Sequence, residues 1–142
     1  MIKIITLILF FLTFFTTSNS EVISKIEITG NKRISNETFS VFGSFNIGDD
    51  LSTKDLNKLH KQLYETNFFK NIDVVLNNGV LKISVVENPI IQLVEINGIK
   101  SKPLNEKIKE NLKLKEKTSH VDYLAKQDLN FIKSILKSNG YY

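Results

Sequence analysis

Few residues in this sequence have the type and spacing to do chemistry. Two histidines, His60 and His120, could in principle share a metal ion. They stand far apart, each in or beside a lysine-rich stretch expected to be helical, so both are expected at the surface. Cysteine is absent, which removes disulfides, thiolate metal sites and a cysteine nucleophile. It also removes a lipid-modified N-terminal cysteine. Glu21, Glu27, Glu37 and Asp49 show no spacing that calls for paired-carboxylate catalysis. No Ser-His-Asp arrangement, metal-ligand spacing or phosphate loop is evident. Neither an enzyme nor a cofactor is expected.

Charge points the same way. The 142 residues carry a net charge of +4 at pH 7, with lysines scattered among acids rather than clustered. Scattered lysines make solvated faces, and nucleic acid is not an expected partner. The first residues, MIKIITLILFFLTFFTTSNS, have one early cation, Lys3, then an apolar run from Ile4 to Phe15, then a polar stretch with Ser18 and Ser20. That run is short of the ~20 residues a membrane span needs. It reads as a cleavable secretory signal peptide over residues 1–20, with the mature chain starting at Glu21.

The elements that follow occur twice. ISKIEITGNK (23–32) aligns with IQLVEINGIK (91–100), and DLNKLHKQLYETNFF (55–69) aligns with DLNFIKSILKSNGYY (128–142). Two collinear blocks indicate two copies of one supersecondary unit. In the first copy, alternation from Val22 to Thr29 predicts a half-buried strand ending at Gly30. Ser35 can cap a short helix presenting Phe39 and Phe42 on one face. Gly43–Asp50 reads as a connection rich in helix and strand breakers. Ser52 and Asp55 resemble a capping box opening a helix whose buried stripe is Leu56, Leu59 and Leu63. Asn67, aligned with Gly140, suits the left-handed position that ends a helix.

Asn78-Gly79 is a strong hairpin signal between two alternating runs. With those two residues as the loop, Leu76 faces Leu81, Val74 faces Ile83 and Ile72 faces Val85. Phe68 and Phe69 sit at the joint between helix and strand, and at least one is expected in the core. The second copy begins after Asn88-Pro89. It predicts a strand over Ile90–Ile96, a helix with Pro103 in its first turn and Leu104, Ile108 and Leu112 in register, and a longer helix with Val121, Ala125, Leu129, Ile132 and Leu136 as its stripe. It has no hairpin. Tyr141 and Tyr142 align with Phe68 and Phe69 and read as core residues deprived of their core.

The β-α-α-β-β unit, the opening ISKIEITGNKRIS and the joint LYETNFFKNIDV resemble POTRA domains, the periplasmic repeats in front of the barrel of BamA-type outer-membrane protein assembly factors. The family pattern at the joint is roughly L-Y-x-T-G-x-F-x-x-V. Leu63, Tyr64, Thr66, Phe69 and Ile72 fit it, and Asn67 replaces the usual Gly. The resemblance implies an α+β fold: a three-stranded mixed sheet covered by two helices, followed by an incomplete second copy. It implies a signal peptide (1–20), a first POTRA domain (21–88) and a truncated second (89–142), so that the chain reads as an N-terminal fragment of a longer protein. It further implies a scaffold on the periplasmic side of the outer membrane that docks accessory envelope lipoproteins and receives unfolded outer-membrane proteins, tied to the membrane through a barrel absent from this sequence.

In the family sheet the last strand is central and the middle strand is an edge. The edge expected to bind clients is therefore Asn71, Ile72, Asp73, Val74, Val75, Leu76 and Asn77, whose open backbone groups can pair with an extended segment. On this reading a proline at Val75 removes one edge donor. Alternatives are a POTRA protein of two-partner secretion, of the translocation and assembly module, or of cell division. A secreted enzyme or inhibitor is a further alternative, for which no motif speaks.

Overall fold

A computed structural model of the protein describes residues 20–141. The signal-peptide expectation therefore lies, Ser20 apart, outside the described residues, as does that for Tyr142. The expected first strand is divided into β1 (Ser20–Val22) and β2 (Lys25–Thr29). Between them Ile23 turns into the core with 1% of its surface exposed. Its amide donates to Asp49 O at 2.8 Å, and the Ser24 amide donates to Gly79 O at 2.7 Å. β1 pairs antiparallel with β3 (Asp50–Ser52), at the end of the expected connection. Three residues are too few to show a period, so the sequence carried no signal for β3.

Helix α1 (Asn36–Gly43) buries Phe39 completely, while Phe42 stays 38% exposed. Ser35 holds the N-cap position, but its hydroxyl meets Thr38 Oγ1 and caps no amide. Helix α2 (Thr53–Glu65) opens with the expected capping box: Asp55 Oδ2 accepts from Ser52 N at 3.0 Å, and Ser52 Oγ accepts from Asp55 N at 3.4 Å. Leu59 and Leu63 are buried. After it, Thr66 Oγ1 donates to Leu63 O at 2.6 Å and accepts from Phe68 N at 3.2 Å. Asn67 takes the left-handed conformation, φ 60°.

β4 (Phe69–Asn77) and β5 (Val80–Glu87) form the hairpin, with φ of 51° and 74° at Asn78 and Gly79 as a type I′ turn requires. The sheet order is β2-β5-β4, with β5 parallel to β2 and antiparallel to β4. The facing pairs are those expected: Leu76 with Leu81, Val74 with Ile83, Ile72 with Val85. Ile23, Phe39, Phe45, Leu59, Leu63, Phe69, Leu81, Ile83 and Val85 make one core between helices and sheet. Phe69 packs on Phe39 at 5.1 Å between ring centroids, and Phe68 links Phe69 to Phe42.

Beyond Glu87 the described residues form helices α3 (Lys102–Asn111) and α4 (Asp122–Ser138) around a second, smaller cluster. Pro103 lies in the first turn of α3, Ser101 caps it, and Leu104, Ile108 and Leu112 are buried. The expected strand Ile90–Ile96 is not formed; only an isolated bridge joins Ile90 to Ser119. A strand needs a ladder partner, and no counterpart of β5 lies beside this segment among the described residues. The expected stripe of α4 also needs correction. Leu129 is 50% exposed, whereas Ile135 is buried and Phe131 packs beside Ile132 and Leu136. Asp128 decides the rotation of the helix. It is buried, accepting the amides of Lys113 at 2.8 Å and Leu114 at 2.9 Å, so its own face turns inward. Gly140 (φ 79°) ends α4, with its amide on Lys137 O and that of Tyr141 on Leu136 O, a Schellman closure. Among the described residues no helix is long and apolar enough to cross a membrane.

Candidate functional site

All seven candidate residues, Asn71–Asn77, lie on β4, and β4 has β5 as its only strand partner among the described residues. Side chains alternate along it. Ile72, Val74 and Leu76 are half-buried against the core, while Asn71, Asp73, Val75 and Asn77 are exposed on the other face.

The backbone alternates too, and the turn fixes its phase. In an antiparallel ladder, facing residues alternate between pairs that exchange both backbone hydrogen bonds and pairs that exchange none. The pair closing a two-residue turn, Asn77 and Val80, is of the bonded kind. Counting back, Val75 with Lys82 and Asp73 with Ser84 are bonded as well. Leu76, Val74 and Ile72 are not, so their N–H and C=O groups point away from β5, to the open edge. This corrects the expectation for Val75. Its N–H lies inside the ladder, and a proline there would break a bond to Lys82 without removing an edge donor. The edge donors belong to the three residues whose side chains face the core.

One side chain reaches this row. His60, on an exposed position of α2, places Nε2 3.2 Å from Ile72 O. Sequence reading left His60 at the surface, and nothing in its type or spacing announced a contact with a strand twelve residues later.

A second polar cluster fixes the far end of the sheet. The Glu87 carboxylate accepts from the amides of Lys32, Arg33 and Ile34 at 2.8, 2.9 and 3.0 Å, and from Arg33 Nε at 3.0 Å. Only 10% of its side chain is exposed. Burial pushes its pKa up, but the three amides and the guanidinium together outweigh burial and bring it down to about 2. Arg33 Nη2 also donates to Asn88 O at 3.2 Å, Asn88 N to Phe68 O at 2.8 Å, and Asn88 Nδ2 to Asn67 O at 2.9 Å. Strand end, helix end and the loop after β2 are thus tied where the first half passes into the second. Among the described residues no group of three or more His, Asp or Glu side chains could hold a metal.

No family model matches the chain. The outer membrane protein assembly factor BamA of Neorickettsia risticii (strain Illinois) is 33% identical over 92 residues, which is 65% of this chain and 12% of that protein. The chain thus corresponds to a small part of that relative's length. Among solved structures, the N-terminal domain of Omp85 from Thermosynechococcus elongatus superposes with a TM-score of 0.57 at 15% identity, covering 86% of this chain and 53% of that one. POTRA domains 1–2 of the periplasmic domain of Omp85 from Anabaena give 0.54 at 10% identity, covering 88% and 84%. POTRA domains 1–3 of the same Anabaena protein give 0.52 at 12% identity, covering 87% and 53%. Over those 92 residues the chain is thus similar in sequence to part of a BamA, and it shares the fold of the Omp85 POTRA domains.

Proposed function

We propose that this chain is the periplasmic POTRA region of an outer-membrane protein assembly factor. It acts as a non-enzymatic scaffold, exported by its first twenty residues, that docks accessory envelope proteins and receives unfolded outer-membrane proteins. Residues 21–88 are one POTRA domain, and residues 89–142 are the front part of a second. Clients pair with β4 by strand addition. The observation that carries this last step is the row of outward backbone groups at Ile72, Val74 and Leu76. Main-chain pairing tolerates any client sequence, which suits a carrier of many clients. The exposed Asp73 and the shortness of the row restrain indiscriminate pairing.

The test is a proline at Val74, which removes an edge donor and leaves the β4–β5 ladder intact. A photo-crosslinker at Asp73 reports capture of a urea-denatured outer-membrane barrel protein diluted into the chain. Crosslinking should fall about fivefold or more in Val74→Pro, one lost edge hydrogen bond being worth about that much. Unchanged crosslinking in a Val74→Pro variant with the parent's circular dichroism would overturn the edge as the site.

A further inference from the structure

We infer that His60 sets the register of strand addition by occupying the edge acceptor at Ile72, so that an added strand pairs with Val74 and Leu76 and stops short of Ile72. The inference rests on the edge reading above and assigns a residue to it. An antiparallel strand would have to exchange two hydrogen bonds with each outward residue. At Ile72 the carbonyl already faces His60 Nε2 at 3.2 Å, a contact that requires the proton on Nε2. The ring comes from α2 and sits against an outward-pointing carbonyl, where a backbone amide of the incoming chain would have to lie. At the other end the strand stops at the Asn78-Gly79 turn. The usable edge is therefore the stretch from Asp73 to Asn77.

The same stretch describes its partner. Residues opposite Val74 and Leu76 would share the core-facing side of the sheet and cover half-buried aliphatic carbons, so they should be apolar. The residue opposite Asp73 would lie on the solvent side beside a carboxylate, where a lysine or a hydroxyl fits. The partner is an extended segment alternating apolar and polar residues, with a cation at one polar position.

The probe is a short fluorescent peptide alternating valine with threonine and bearing one lysine, titrated into the chain and into three variants. His60→Ala should bind it about threefold to tenfold tighter, because one more edge residue becomes available. Its complex should also protect the Ile72 amide from hydrogen exchange, which the parent complex leaves open. His60→Gln, whose amide nitrogen can reach the same carbonyl, should bind like the parent. Val74→Pro should weaken binding about fivefold or more in either background. If Val74→Pro weakens binding so while His60→Ala changes neither affinity nor Ile72 protection, the role of His60 is refuted and the edge stands. If Val74→Pro leaves binding intact, the edge itself is wrong and the role of His60 falls with it.

Discussion

Replacing Glu87 with glutamine should cost about 3 kcal/mol at neutral pH and almost nothing at about pH 2. The carboxyl titrates at 4.5 when unperturbed and at about 2 in the fold. At about 1.4 kcal/mol per tenfold change in proton affinity, that difference is worth about 3 kcal/mol. The side chain is 10% exposed, so solvent screens little of it. The sign follows from the lowered value. Above 4.5 the carboxyl is ionised in both states and the contribution is complete. As pH falls from 4.5 toward 2, the unfolded chain takes up a proton that the fold refuses, and the contribution is lost. Glutamine keeps one oxygen for the amides of Lys32, Arg33 and Ile34 but loses the charge and turns an N–H toward Arg33 Nε. The assay is urea unfolding followed by circular dichroism at several pH values between 7 and 2, parent against variant, since all other acids titrate in both and cancel. A gap of about 3 kcal/mol that closes through this window is expected. A gap that stays constant down to pH 2 would refute the ionic account, and no gap at pH 7 would refute the carboxylate as the holder of the 32–34 loop. Arg33→Ala should cost under about 1 kcal/mol, because its side chain is 39% exposed and screened.

Gly30 and Gly98 should differ although the repeat aligns them. Gly30 has φ +84°, and a Cβ there would stand 1.9 Å from Val85 O, so Gly30→Ala should lower stability by more than about 2 kcal/mol in the same urea assay. Gly98 has φ +88° with nothing within 4 Å, so Gly98→Ala should cost only the conformational part, about 1 kcal/mol. Residues 21–88 should melt cooperatively alone, whereas 89–142 should not, since its cluster has no paired sheet among the described residues; calorimetry of the two pieces decides.

Legibility in the sequence followed the length of the signal. Asn78-Gly79 and the alternation around it give the β4–β5 register independently, and the structure has those pairs. Ser52 and Asp55 announce the start of α2, and Asn67 its left-handed end, because each acts on backbone within a few residues. The candidate edge was legible as a strand, but not the parity of its backbone groups. That parity comes from closing the turn on the bonded pair Asn77–Val80, and it moves the open donors from Val75 to its neighbours. His60 and Glu87 gave no sign, since their partners lie in other elements: Ile72 for one, the 32–34 loop for the other.

The second half separates the two kinds of information most clearly. Local sequence determined its helices, because i, i+4 spacing runs along both, Ser101 and Pro103 open α3, and Gly140 closes α4. It also marked Ile90–Ile96 as strand-like by the same alternation that makes β2 a strand. Only the tertiary structure could decide whether that alternation becomes a strand, and among the described residues it does not. Helix hydrogen bonds close within one stretch of chain, whereas a strand's bonds close on a neighbour. β2 has β5 along its whole length, whereas among the described residues the segment after Pro89 meets only the 117–120 stretch, through the single Ile90–Ser119 bridge, and has no ladder partner beyond it.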